Sequence, residues 1–252
     1  MAEARAGQFP ARDDAIPPRD EAPYVVRAIK RRTPTIVEVL LHPRAEPMAF
    51  LPGEYVLLED SQRQVPPRSY SIANAPRADG GISLLVTRVP GGQTSRWVHD
   101  RLAIDEEVTI TGPYGTFVDD PGSSGPCLHL AAGSGLAPIR ALVEAALDAA
   151  PHRSQLLVFS ARTEADVLDR RRFARWQARH PRFRFIRTLT GATGPDPHGR
   201  IPDVLPGLCP RLRDYDVFIA GAPGFVTACS NSAEALGAAR ERVHAEPFFV
   251  EL

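Results

Sequence analysis

The sequence predicts two domains in series: an antiparallel β-barrel over residues 23–119, then an α/β domain with a parallel sheet over residues 126–252. Three observations carry this. The first half reads as short β-branched or aromatic runs separated by turn residues such as Pro52-Gly53 and Asp79-Gly80-Gly81. The second half alternates strand-like and helix-like segments, which implies a parallel sheet covered on both faces. A Pro/Gly/Ser-rich break at Asp119 to Pro126 lies between them, as a domain linker would.

Taken in order, residues Met1 to Ala22 are polar and rich in Pro, Arg, Asp and Glu, and are expected to be a disordered lead-in. Barrel strands are expected at Tyr24–Lys30, Thr35–Leu41, Tyr55–Leu58, Ser69–Ile72, Ile82–Arg88 and Glu107–Thr111. Beyond the break, Cys127–Ala132, Gln155–Ser160, Phe183–Leu189 and Asp216–Ala220 read as strands. Ala137–Ala149, Glu164–Ala178 and Phe225–Leu236 carry helical spacing.

The totals narrow the function classes. The chain has 252 residues, 43% hydrophobic and 24% charged, as in a globular protein of one large or two ordinary domains. Formal net charge is zero, so no global field draws it to nucleic acid or an anionic membrane. Cys127, Cys209 and Cys229 lack paired spacing, which argues against a metal site, a disulfide framework or a four-thiolate iron–sulfur cluster from this chain alone. A reducing compartment fits such cysteines. With no signal-peptide pattern and no apolar run of bilayer length, a cytoplasmic location is expected.

Five segments carry chemistry. Arg68-Ser69-Tyr70-Ser71 sits between two strand-like runs. An arginine fork can hold a pyrophosphate through parallel hydrogen bonds, a tyrosine ring can lie against a flat isoalloxazine, and a serine hydroxyl can bond a polar edge atom of that ring. Thr87-Arg88-Val89 then leads into Pro90-Gly91-Gly92-Gln93-Thr94-Ser95 and a helical stretch. Glycines there permit close approach of a ligand, and a helix start offers free N–H groups to an anion. The same residues also fit an ordinary helix capped by Thr94 or Ser95. Gly133-Ser134-Gly135 ends a strand and opens a helix with Pro138 in its first turn, a nucleotide-binding pattern short of a full G-x-G-x-x-G. Gly221-Ala222-Pro223 repeats the strand-to-helix turn with small residues, which suits a flat ring over the strand end or simply a tight turn. Finally, Phe248 and Phe249 close the chain, where an aromatic pair either plugs a core or covers a ring.

In this order the five segments resemble the ferredoxin–NADP reductase superfamily, and more narrowly the FAD- and NAD(P)H-binding reductase components of bacterial oxygenases. The resemblance spans about residues 24 to 252. It implies an FAD domain followed by an NAD(P)-binding domain, with hydride passing from NADH or NADPH to FAD. Single electrons would then go to a separate acceptor, a ferredoxin-type iron–sulfur protein or oxygenase component. By resemblance, Tyr70 stacks on the flavin, Arg68 binds its pyrophosphate, Ser69 belongs to the same binding strand, and Ser71 lies near the flavin N5. Thr87, Arg88 and Val89 line the ribityl and pyrophosphate path, and Gly92, Gln93, Thr94 and Ser95 close around the phosphates. Gly112-Pro113-Tyr114-Gly115 matches the turn ending the barrel. Gly133, Ser134, Gly135 and Pro138 form the coenzyme phosphate loop, Gly221, Ala222 and Pro223 flank the nicotinamide, and Phe248 covers the isoalloxazine. Ser71 and Phe248 are the residues expected at the reacting atoms.

Departures matter. Ala220 stands where the family often has Cys, Ala132 where it often has Gly, and Ser134 where it often has Thr. No iron–sulfur domain is expected within this chain, hence the separate acceptor. Reduction of free flavin or another small acceptor is the same-class alternative, and a flavin- and nucleotide-binding subunit without turnover is the alternative of another class. Arg27, Lys30, Arg31 and Arg32 form a candidate docking cluster for an acidic acceptor or a solvated turn. Arg162, with Arg170 to Arg172 further on, is a candidate for a 2′-phosphate, while Glu164 fits a ribose contact or a helix cap.

Overall fold

The computed structural model describes residues 20–120, 122–191 and 198–249. Two sheets organise the chain. The first has six antiparallel strands: β1 (Asp20–Arg31), β2 (Ile36–Pro43), β3 (Tyr55–Asp60), β4 (Arg68–Ser71), β5 (Ile82–Thr87) and β6 (Glu107–Tyr114). Their order is β4-β3-β6-β1-β2-β5. The two edges nearly meet, because Ile72 bridges Leu84 and the Ala73 amide donates to the Ser83 carbonyl at 2.8 Å. The buried Asn74 fastens that seam, its side-chain oxygen accepting from the Ser83 amide at 2.6 Å. Near-closure hides the exposed ladder groups of edge strands. Inward positions such as Val26, Val39, Leu58, Leu84 and Ile110 fill the interior. A short helix, α1 (Gln93–Asp100), lies against it through Trp97 and Val98.

The second sheet is wholly parallel, ordered β11-β10-β7-β8-β9, from β7 (Cys127–Ala132), β8 (Gln155–Ala161), β9 (Phe183–Leu189), β10 (Asp216–Gly221) and β11 (Val243–Pro247). Its central strands β10, β7 and β8 are buried on both faces, as a helix-covered parallel sheet requires. On one face α2 (Leu136–Ala149) and α3 (Arg170–Arg179) bury Ile139, Leu142, Val143 and Phe173 against Leu157, Phe159 and Phe218. On the other, α4 (Ile201–Leu208) and α5 (Pro223–Ala235) bury Leu205, Val226 and Cys229 against Leu130, Val158 and Ile219. The first of these cores also takes in Ile36, Ala73, Leu85 and Phe117 of the barrel side, so it continues across the domain boundary.

Several expectations need adjusting. Residues 1–19 of the expected lead-in lie outside the described residues, but Asp20 to Ala22 belong to β1, paired with Gly112 to Ile110 of β6. The helix expected at Glu164–Ala178 is broken. A single 3₁₀ turn at Glu164–Asp166 precedes α3, and Asp169 between them takes a left-handed φ of 53°. Glu164 does not cap this segment: Thr163 and Asp166 form the capping box. The sequence reading also missed α4, which carries Pro202 and Pro206, and the edge strand β11. Cys127, Cys209 and Cys229 are buried free thiols. No described helix is long and apolar enough to cross a membrane.

Candidate functional site at the domain junction

The barrel side of the site is β4. Alternation along a strand puts Arg68 and Tyr70 on one face, Ser69 and Ser71 on the other. Tyr70 packs on the barrel core, and burial pushes its phenol up to about 12, so it is neutral at any working pH. Behind it, Tyr55 stacks on Tyr114 with ring centroids 5.5 Å apart. Tyr114 belongs to the Gly112–Gly115 turn, whose Gly112-Pro113 bond is cis. Gly115 takes a φ of 105°, and a Cβ there would press on the Tyr55 ring at 3.2 Å.

The start of α1 differs from the capped-helix expectation. Gly92 occupies the cap position with no side-chain cap bond. Thr94 instead donates to the Pro66 carbonyl at 2.5 Å, tying the helix to the lead-in of β4, and the Ser95 hydroxyl accepts from the Val89 amide at 3.1 Å. First-turn N–H groups have no intrahelical acceptor, so those around Gln93 suit an anion. Arg88, expected on the pyrophosphate path, forks Asp100 with two bonds of 2.8 Å and fastens α1 to β5.

The sheet-domain side is built from strand ends. Gly133 has a φ of 56°, open space where a Cβ would stand, and an exposed backbone. Gly135 approaches β10 so closely that a Cβ would collide with the Ala220 carbonyl. Pro138 is buried in the first turn of α2. The two nucleotide regions touch: the Thr87 hydroxyl donates to the Ser134 hydroxyl at 2.9 Å. Gly221 takes a φ of 156°, and its carbonyl accepts from the Phe248 amide at 2.8 Å, which holds the half-buried Phe248 at the end of β10. Phe249 projects outward, 73% exposed.

Sequence reasoning missed Glu246. Strand β11 brings its carboxyl to Ser71 across the domain junction. Burial pushes Glu246 up to about 7, and the hydrogen-bonding Ser71 hydroxyl pulls it only partly back. Its Oε2 is buried with no hydrogen-bond partner among the described residues. The signal was available: a strand's period of two places Glu246 on the same face as Phe248.

Other candidates scatter. Arg162 is exposed at the end of β8, its carbonyl held by the Gly191 amide at 2.9 Å. Glu164 is engaged by Arg170 and Arg187, each at 2.7 Å. The cluster at the β1–β2 hairpin is divided: Arg27 pairs with Asp105 at 2.7 Å, Arg31 turns to the Pro34 carbonyl, and Arg32 bonds Asp169. Asp119, Cys127 and Asp216 lie close enough to hold a cation, but Arg153 binds both carboxylates there.

The donor set suits two nucleotide cofactors. The barrel offers an aromatic face, an arginine and a helix start. The sheet offers a glycine turn that approaches a strand end, and an orphaned carboxyl oxygen lies between. Comparison with known proteins agrees. Residues 32–118 match the oxidoreductase FAD-binding domain family, and residues 130–231 the oxidoreductase NAD-binding domain family. The chain is 33% identical to the reductase subunit of an aromatic O-demethylase from Amycolatopsis, over 95% of this chain and 75% of that protein. It is 30% identical to the ferredoxin–NAD(P)+ reductase component of naphthalene 1,2-dioxygenase/salicylate 5-hydroxylase systems from Ralstonia, over 93% of this chain and 73% of that one. A crystal structure of an Amycolatopsis cytochrome P450 reductase superposes with a TM-score of 0.86 at 33% identity, covering 92% of this chain and 70% of that one.

Proposed function

This chain belongs to the oxidoreductases that join an FAD-binding domain to an NAD-binding domain, and we propose that it serves as the reductase of an oxygenase system. As a flavin-dependent NAD(P)H reductase it takes electrons from NADH or NADPH. In our reading a separate ferredoxin-type iron–sulfur protein receives them. The O-demethylase and dioxygenase reductases it is similar to support that assignment. The observation that carries it is the meeting of Ser71 with Glu246 across the domain junction, next to Phe248, whose amide bonds the Gly221 carbonyl.

Bound FAD supplies the conversion of one hydride into two single electrons. The chain's own residues bind, orient and shield. Tyr70 offers the ring one apolar face, and Arg68, on the same strand face, reaches for the pyrophosphate with the first-turn N–H groups at Gln93 to Ser95. Phe248 would shield the bound flavin and exclude water until the nicotinamide replaces it. Gly133, Ser134 and Gly135 hold the coenzyme pyrophosphate, while Ala222 and Pro223 leave room for the nicotinamide ring. Ser71 orients the reacting edge, and Glu246, titrating near neutrality, holds or releases a proton at the Ser71 hydroxyl. Orientation supplies most of the acceleration. Arg162 takes the 2′-phosphate of NADPH.

The test is anaerobic mixing of FAD-loaded protein with NADH or NADPH, followed by addition of a [2Fe–2S] ferredoxin. Bleaching of the flavin and then reduction of the ferredoxin are expected. Bound FAD that never bleaches would make this a non-catalytic binding subunit. Bleaching with transfer only to free flavin or small dyes would make it a flavin or small-acceptor reductase.

A further inference from the structure

We infer that the seam between the barrel and α3 holds a second anion site, one that binds a compact polyphosphate through Arg32, Arg170, Arg171, Arg172 and Arg175. A cavity of about 330 Å³ opens there, lined by these arginines and Asp169. The site is independent of the hydride-transfer reading above, and Arg162 takes no part in it.

The charge distribution is the starting point. The chain has no net charge, yet the stretch from Arg170 to Arg187 carries eight arginines and no acidic residue. Three of these arginines occupy the first turn of α3, where the helix dipole favours acids, and that turn contains none. Arg171 and Arg175 are one helical turn apart, so their like charges repel across the same face. Both are exposed, and neither has an ion-pair partner among the described residues.

The acids nearby are already committed. Asp169 gives one oxygen to Arg140 at 2.6 Å and the other to Arg32. Glu38 bonds Arg140 at 2.6 Å, and Glu164 bonds Arg170 at 2.7 Å. Arg172 lies over the Trp176 ring, 5.9 Å from its centroid, and reaches the carboxylates of Glu144 at 3.6 Å and Asp169 at 3.7 Å, too long for hydrogen bonds. Its Nε is buried without a hydrogen-bond partner. The buried, orphaned Arg172 donor is a costly feature that a ligand would relieve, and the exposed Arg171 and Arg175 beside it offer further positive charge to an anion.

The geometry also selects the ligand. Guanidinium groups converging on so small a volume need several negative charges in a compact group. Arginine forks match phosphate oxygens bidentately, and a short polyphosphate packs several charges into adjacent groups, the terminal phosphate carrying more than one. A carboxylate peptide spreads single charges along a chain and neutralises such a cluster poorly. Because Arg32 belongs to the barrel and the others to the sheet domain, an occupant would tie the two together.

The test titrates tripolyphosphate, ATP and 2′,5′-ADP into FAD-loaded protein at constant ionic strength, by calorimetry and by thermal unfolding. Saturable one-site binding of tripolyphosphate with a raised unfolding temperature is expected. The double variant Arg171→Ala/Arg175→Ala should weaken it about tenfold or more. Both positions are exposed and alanine favours a helix, so the variant should fold and, with NADH, which has no 2′-phosphate, reduce its flavin at the wild-type rate. Tighter binding of ATP than of tripolyphosphate would assign a nucleotide-borne source; the reverse would assign the inorganic one. Either result supports the site. Absence of binding, binding unchanged in the double variant, equal binding of polyglutamate at the same residues, or binding of 2′,5′-ADP alone would overturn it.

Discussion

Two carboxyl groups near the domain junction, those of Asp169 and Glu246, meet opposite surroundings. Burial alone would raise Asp169, but Arg140, Arg172 and Arg32 hold it below the usual carboxylate range. Glu246 is also raised by burial, and only a serine hydroxyl opposes it, so it titrates at about 7. Arg140, fully buried, bonds Asp169, Glu38 and the Ala73 carbonyl, joining α2 to the barrel two residues beyond Ser71. The first region is a fastener in which Arg140 satisfies both Asp169 and Glu38. The second keeps a proton in play and a polar atom unsatisfied, which is how reactive sites differ from structural ones.

The contrast can be broken by mutation. The largest effect is expected from Arg140→Met, which removes the buried partner shared by two carboxylates and leaves them only Arg32 in common, and should cost about 3–5 kcal/mol in urea unfolding. A loss near zero would mean the seam does not fasten the domains. Next, Glu246→Gln should slow anaerobic flavin reduction by roughly a hundredfold. It should also change stability in a definite direction. A carboxyl whose folded pKa is raised from 4.5 to about 7 retains its proton in the folded state after the unfolded chain has lost it. The wild type therefore loses stability as pH rises from 4.5 through 7, and the Gln variant lacks that decline. Comparing the two at each pH cancels other groups, including His129. That imidazole, lowered by burial to about 4, acts in reverse: stability falls as pH drops below 6.5.

Smaller effects sharpen the site. Phe248→Ser should lower the KM for NADH by about tenfold if the ring shields the flavin. Unchanged kinetics and an unchanged flavin spectrum would return Phe248 to ordinary packing. Arg162→Ala should raise the KM for NADPH by a factor of about ten while sparing NADH; equal loss for both would remove the 2′-phosphate role.

The legible parts of this molecule are those whose cause is local. Arg68–Ser71 reads as a strand whose alternation already separates Arg68 and Tyr70 from Ser71. Gly133 to Pro138 reads as a turn into a helix because glycine and proline act on their own backbone. What stayed hidden depends on partners far along the chain. The break at Asp169 is unreadable from the apolar spacing around it, since the left-handed residue is held by Arg140 and by Arg32 of the barrel. Arg140 looks like an ordinary helical arginine until Glu38, over a hundred positions away, meets it. The prolines of α4 argue locally against a helix that burial of Ile201 and Leu205 nonetheless forms. Glu246 was the one miss with a local signal, its spacing from Phe248.

The most direct test of the account is the pH profile of flavin reduction by NAD(P)H, measured by anaerobic rapid mixing for wild type and Glu246→Gln. The account predicts an inflection near pH 7 in the wild type that disappears in the variant. Identical profiles in the two proteins would contradict it.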